Sequence, residues 1–286
     1  MNIKYLLPRL AVLGAALIWG GAFIVMKDVL TSIPTFWLLA IRFCLAGVLL
    51  SAISYKKLKH MDISYWKDGM LLGFFLAMAY GTQTIGLSTT TPGKNAFLTA
   101  GYCVLVPFMN WLVIKQRPRI NHLIAAIVCI LGIGLISLSG DTLSISQGDA
   151  FSAICAVFFA LHITGLDVKS KKQDIVLLTI TQFFCCSLVC FIIALFTEQP
   201  PQTFTTDMFF SFVYLILFST IGCMLFQAYG QKNAAPTEVA VLMSFESVFA
   251  AIFSLMAGME VFHPVVVCGF VVTFVAVIIA QLPAKK

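Results

Sequence analysis

Ten runs of apolar residues, each about 20 long, divide this chain from end to end. They fall at 9–29, 34–54, 68–88, 93–114, 121–139, 149–167, 175–196, 208–230, 237–259 and 263–282. A helix rises 1.5 Å per residue, so about 20 apolar residues cross a hydrocarbon core about 30 Å thick. Ten such crossings use about 200 residues of the 286, and the remainder is short connector with no room for a soluble domain. Only 10% of the chain is charged, and 60% is hydrophobic. Eighteen Lys and Arg with 12 Asp and Glu cannot clothe a soluble surface, where about 25% charge is usual. The fold class is therefore all-α, a polytopic integral membrane protein with ten transmembrane helices. An ordinary soluble enzyme, a disordered chain and a nucleic-acid binder are excluded. The net charge of +6 sits in short scattered clusters, as loop charge does.

The breaks between runs are chemically sensible. Thr31-Ser32-Ile33-Pro34, the basic stretch Tyr55–Asp68, Thr91-Pro92-Gly93 and Gln116-Arg117-Pro118-Arg119 each interrupt an apolar run. Ala235-Pro236-Thr237-Glu238 reads as a helix start, with Pro and an acid in the first turn. Lys4 and Arg9 before the first run resemble a signal peptide, but no small-residue cleavage site follows, so the run reads as an uncleaved span. The cysteines at 44, 103, 129, 155, 185, 186, 190, 223 and 268 all lie inside apolar runs, with no C-x-x-C pair, and read as packing residues.

Connector charge sets the orientation, because cytoplasmic loops hold the excess Lys and Arg. With the N-terminus inside, 15 of the 18 basic residues are cytoplasmic, Lys27 and Lys94 are outside, and Arg42 lies within a span. The connectors after the fifth and seventh spans, Gly140–Gly148 and Thr197–Asp207, carry no basic residue. A missed span would scramble this alternation. Both termini are expected to face the cytoplasm, with the chain in the cytoplasmic membrane.

The chain also repeats itself. Shifted by 144 residues, Gln83, Gly86, Pro92, Ala96 and Leu98 fall on Gln227, Gly230, Pro236, Ala240 and Leu242, and Lys94 falls on Glu238. Shifted by 140, Trp19-Gly20 falls on Phe159-Ala160, and Arg42-Phe43 on Gln182-Phe183. Five spans per half is an odd number, so the second half must insert upside down. The expected domains are 1–140 and 141–286, two inverted five-helix repeats of the kind secondary transporters use.

Several motifs in this order resemble the EamA family of the drug/metabolite transporter superfamily over essentially the whole chain. They are Ala16-Leu17-Ile18-Trp19-Gly20-Gly21-Ala22-Phe23 with Lys27, Ile41-Arg42-Phe43-Cys44-Leu45-Ala46, Ala235-Pro236-Thr237-Glu238-Val239-Ala240, and Leu242 through Phe249 ending at Gly258-Met259-Glu260. The resemblance implies a ten-span carrier that exports or exchanges amino acids, related metabolites or drugs. The chain departs from the family at Gln116, where an acid is usual, while the second-half counterpart Glu260 is kept.

A charge at mid-membrane costs about 2.5–3.5 kcal/mol on insertion scales, so it needs a partner or a wet cavity. Arg42 and Glu246 both lie deep in spans. They either pair to fix packing or serve transport, with Glu246 able to bind a substrate amine or take up a proton. His162 either titrates in the cavity or is a hydrogen-bonded core histidine. Its H-x4-D spacing to Asp167 is a chance match to an acyltransferase pattern. Trp19, Gly20, Tyr80, Gln83, Tyr102 and Gln227 complete the candidate substrate-binding set, as apolar walls with a few placed polar groups; Tyr229 is another aromatic within a span. Packing is the alternative role for each. Trp37, Trp66, Tyr55 and Tyr65 lie at span ends, where aromatic belts form.

The function expected is a secondary transporter working by alternating access, with a small-molecule solute and the lipid bilayer as partners and protons as a candidate coupling ion. No cofactor, metal or nucleic acid is expected, and no P-loop is present to drive transport with ATP. The alternatives are a lipid-carrier flippase, a non-transporting scaffold or an intramembrane enzyme. The last lacks H-E-x-x-H, and the four His share no ligand spacing.

Overall fold

A computed structural model describes residues 3–115, 117–137, 146–202, 204–234, 236–259 and 263–282. The described residues form helices and connectors only. In chain order the helices are α1 (Ile3–Val29), α2 (Thr35–Ile53), α3 (Tyr55–Leu58), α4 (Ile63–Thr89), α5 (Pro92–Thr99), α6 (Tyr102–Ile114) and α7 (Ile120–Ser137). They continue with α8 (Gln147–Ser170), α9 (Ile175–Thr197), α10 (Thr206–Val213), a π-helical segment (Tyr214–Gly222), α11 (Cys223–Asn233), α12 (Pro236–Met256) and α13 (Pro264–Gln281). Eight of the helical stretches are long and apolar enough to span a membrane, and α7 and α13 carry shorter apolar stretches, Leu123–Gly132 and Val267–Ala276. The chain is thus an all-α polytopic membrane protein.

Local chemistry explains the helix starts. Asp62 accepts from the Ser64 N–H at the start of α4, and Asp174 accepts from Val176 and Leu177 N–H at the start of α9. Such caps satisfy N–H groups that a helix's first turn leaves bare. Ser146 and Asp149 cap α8 reciprocally in a capping box. Proline occupies the first position of α5, α12 and α13, where its missing N–H costs nothing. Burial leaves the Asp174 carboxyl less favourable as an anion, but Lys57 at 2.8 Å and the two N–H groups outweigh that and hold it below its ordinary value.

Two irregularities were not foreseen. The span expected at 93–114 is broken between α5 and α6, because around Ala100-Gly101 the bonds tighten to three-residue closures: Gly101 N–H to Leu98 O at 3.2 Å and Cys103 N–H to Ala100 O at 3.1 Å. The eighth span, Thr206–Asn233, widens into the π segment, within which the Thr220 hydroxyl donates to Leu215 O at 2.7 Å.

The bundle packs α1 against α11 and α12, α8 against α4, α5 and α6, α2 against α9 and the π segment, α4 against α9, and α7 against α13. Close approach needs small residues. At Gly20 a Cβ would meet Ala250 N at 2.9 Å and Phe249 Cβ, so α1 lies directly on α12. Large apolar side chains such as Ile127, Ile130 and Phe196 point outward, as hydrocarbon solvent requires. Six of the nine cysteines are buried and all are free, in keeping with a packing role. Trp66 and Tyr55 are exposed at helix ends, and the Lys56 ammonium lies 5.9 Å from the Tyr55 ring.

Candidate functional site

Midway along their lengths, α1, α2, α4, α6, α8, the π segment, α11 and α12 line a partly open hollow with about 460 Å³ of empty space. The part open to the centre of a water molecule is about 30 Å³, room for about two waters. Trp19, Arg42, Tyr80, Gln83, Tyr102, Gln227 and Glu246 all line it. Helical register on separate spans brings these seven residues together.

Arg42 is fully buried. Its Nε donates to Thr220 Oγ1, its Nη2 to Ser219 Oγ at 3.0 Å, and its Nη1 to Met26 Sδ at 3.2 Å. The guanidinium carbon lies 5.2 Å from the Tyr80 ring centre and 5.6 Å from that of Phe43, within cation–π range. Among the described residues no carboxylate forms an ion pair with it. A guanidinium carries five N–H donors, so these three bonds leave two for the cavity. The expected alternative of an Arg42–Glu246 pair does not form. Glu246 instead accepts from the Tyr102 hydroxyl at 3.2 Å.

The walls are aromatic. The Tyr80 and Phe159 ring centres are 5.3 Å apart, and those of Tyr102 and Phe159 6.1 Å. Trp19 is fixed by its Nε1–H, which donates to Ser219 O at 2.8 Å in the π segment. Gln83 Nε2 donates to Thr99 Oγ1 at 3.4 Å, and Gln227 Nε2 to Gln231 Oε1 at 3.1 Å. The site therefore offers one cation, one carboxyl and two amides in an aromatic box.

Two candidates lie elsewhere. Gly20 does not line the cavity and serves the α1–α12 contact. His162 is buried between α8 and α9, where its Nε2 meets Gln182 Oε1 at 2.8 Å. Because Gln182 Nε2 donates to Leu178 O, its Oε1 is the acceptor and His162 donates. Gln116, Glu260, Lys285, Lys286 and most of the Gly140–Gly148 connector lie outside the described residues.

Phe159, Met224, Ser219 and Thr220 are among the contributors that escaped the sequence reading. Phe159 and Met224 line the cavity at the positions that the repeat offsets assign to Trp19 and Tyr80. The offsets were the signal that could have found them. Ser219 and Thr220, the hydroxyls that hold Arg42, form a polar pair inside the run Leu215–Ile221. Among the described residues no group of three or more His, Cys, Asp or Glu could hold a metal ion.

Known proteins resemble this chain along its length. The model of the EamA-like transporter family matches twice, over residues 7–138 and 146–281. An uncharacterized transporter of Archaeoglobus fulgidus is 30% identical over 284 residues, 98% of this chain and 88% of the relative. The Bacillus subtilis uncharacterized transporter YoaV is 21% identical over 85% of this chain and 86% of its own length. A chloroplastic WAT1-related protein of Arabidopsis thaliana is 22% identical over 93% of this chain and 67% of its own. A solved crystal structure superposes with a TM-score of 0.73 over 96% of each chain at 14% identity, a likeness of fold alone. A membrane bundle with a polar, aromatic hollow at mid-depth, matched in both of its parts, places this chain in the EamA-like transporter family.

Proposed function

We propose that this transporter carries small amphiphilic metabolites, amino acids and related compounds foremost, by alternating access between two inverted five-helix halves, 1–140 and 141–286. The observation that carries the reading is the narrow hollow between the helices, in which Arg42 and Glu246 stand unpaired with each other. Arg42 offers donors to a carboxylate, the aromatic walls hold apolar surface, and Glu246 takes an ammonium or exchanges a proton. Space for about two waters admits no such solute, so the walls must part on one side or the other to load it.

Helix-end contacts support ten crossings. If every span reverses the chain, the starts of α1, α4, α7, α9 and α12 share one face. Arg9–Glu238, Lys57–Asp174, Lys169–Asp68 and Asn121 to Leu282 O all join ends assigned to that face. On the opposite face, Lys27 donates to Ser88 O and Thr90 O, Glu198 accepts from Phe36 and Trp37 N–H, and Lys94 pairs with Asp149. No contact among these joins opposite faces. The basic connectors support a reading with the first face in the cytoplasm and the chain in the cytoplasmic membrane.

Packing supports the inversion. Exchanging each span for its repeat partner turns α1–α11 into α8–α4, α1–α12 into α8 with α5 and α6, and α2 with the π segment into α9–α4. The pairs α2–α9 and α7–α13 map onto themselves, as they would beside a two-fold axis. The family match over 7–138 and again over 146–281 follows the same division.

Export or exchange is measured by solute flux in proteoliposomes, with and without an imposed pH gradient. Counterflow of a labelled amino acid supports the reading. Absence of flux across a broad solute panel, with folded protein in the vesicles, removes it. The apolar groove between α2 and α9, lined by Trp37, Cys44 and Phe191 among others, shares no residue with the cavity, so a flippase path is not favoured.

A further inference from the structure

We infer that Arg9–Glu238 and Lys94–Asp149 are the two gates of this cavity, closing it at opposite ends. The inference rests on the transporter reading and adds the four residues through which access would alternate.

Four helices carry the argument. Arg9 lies near the start of α1, Lys94 in the first turn of α5, Asp149 in the first turn of α8 and Glu238 in the first turn of α12. Arg9 Nη2 donates to Glu238 Oε2 at 3.1 Å, with a second bond from Nε to Oε1. Lys94 Nζ lies 2.9 Å from Asp149 Oδ2. These pairs are repeat equivalents, because the offset of 140 takes Arg9 to Asp149 and the offset of 144 takes Lys94 to Glu238. The first half supplies both cations and the second half both anions. Each bridge therefore joins one half to the other.

Their placement about the cavity is matched. Arg9 precedes Trp19 by ten residues, and Asp149 precedes Phe159 by ten, about 15 Å along a helix axis. Glu238 precedes Glu246 by eight residues, and Lys94 precedes Tyr102 by eight, about 12 Å along the chain. Trp19, Phe159, Tyr102 and Glu246 all line the cavity. Three of the helices that wall the hollow, α1, α8 and α12, and α5, which leads into a fourth, thus carry the ion pairs near their starts. Both pairs are formed in this structure.

Ion pairs suit such a task. Arg9–Glu238 is partly exposed and weak, so opening it costs little; Asp149 is buried, so the Lys94 latch holds harder, and each pair is lost outright when its helix ends part. Independent strength at the two ends lets one face open while the other stays latched. The cations are the cleaner targets, because Asp149 also belongs to the α8 capping box.

The test is hydrogen–deuterium exchange of the full chain in lipid nanodiscs, which needs no known solute. Arg9→Gln is expected to speed exchange at the starts of α1 and α12 by about two- to fivefold, the factor a surface ion pair carries, and to leave the starts of α5 and α8 unchanged or slower. Lys94→Gln is expected to speed exchange at the starts of α5 and α8 by at least that factor, because Asp149 is buried, and to leave the starts of α1 and α12 unchanged or slower. The double variant Arg9→Gln/Glu238→Gln should move exchange no further than Arg9→Gln alone, which separates the gate from any other contact of Arg9. Faster exchange at both ends from either variant, no change from both, or additive effects in the double variant would each overturn the inference. Loss of solute flux in the unmodified protein with these exchange patterns intact would instead remove the transporter reading.

Discussion

Tyr102 donates a hydrogen bond to Glu246 across 3.2 Å, and the two residues stand 144 positions apart. That interval is the one that lays Gln83 on Gln227 and Pro92 on Pro236. A residue bonded to its own repeat twin lies where the two matched parts meet, so under the proposed alternating access the carboxyl sits at the seam that would open. Glu246→Gln keeps the shape and removes the charge. Flux is expected to fall about tenfold or more and to lose its response to an imposed pH gradient, since the charged acceptor is gone. Transport by Glu246→Gln that still follows pH would dismiss this carboxyl as the coupling group. Tyr102→Phe strips a buried acceptor of its donor and should weaken solute binding by about 1–3 kcal/mol, read as a raised KM.

Arg42 depends on Ser219 and Thr220 for its aim. Thr220→Val leaves a buried charged donor without its acceptor, which costs about 1–3 kcal/mol and should lower the melting temperature in detergent. Arg42→Lys keeps the charge and loses the planar fork, so flux of carboxylate solutes should drop about tenfold while the protein still elutes as a folded monodisperse species. Full activity in Arg42→Lys would mean that charge alone suffices.

Gly20 marks where α1 lies on α12. Gly20→Ala places a Cβ against the Ala250 backbone nitrogen, which cannot yield as a flexible side chain can. Overpacking of this kind costs about 1–3 kcal/mol, and thermal melting of the variant measures it. An unchanged melt would show that the two helices slide apart freely.

The Lys57–Asp174 bridge ties the α2–α4 connector to the start of α9. The Asp174 carboxyl is held below its ordinary 3.8, so its stabilising effect is complete above that value and fades as pH falls through the lowered one. Half-exposed as it is, the group contributes at most about 1 kcal/mol. Asp174→Asn should therefore lower the melting temperature slightly at neutral pH, with the difference from the parent shrinking as pH falls below 3.8. A difference that grows on acidification would contradict this.

Most of the helix layout was legible because hydrocarbon imposes one rule, and runs such as 34–54 and 175–196 end where α2 and α9 end, within a residue or so. Seven of the candidate site residues meet in one hollow because a polar or aromatic group inside a span has few other places to go. The exceptions are physical. Gly20 and a pocket-lining glycine look alike in a sequence, since both need a missing side chain. His162 finds its partner in Gln182, which composition cannot reveal. The broken span at Ala100-Gly101 and the π segment depend on how neighbouring helices compete for hydrogen bonds, and no periodicity records that.

The widened turn at Tyr214–Gly222 has no twin, for the matching stretch of α4, Met70–Met78, is regular helix. Two copies of one template have thus drifted apart in the very strand of backbone that holds Trp19 and Arg42. A see-saw with unlike arms does not rest level. Under the proposed alternating access, the inward and outward resting forms would then differ in free energy, which would give the protein a preferred side on which to wait.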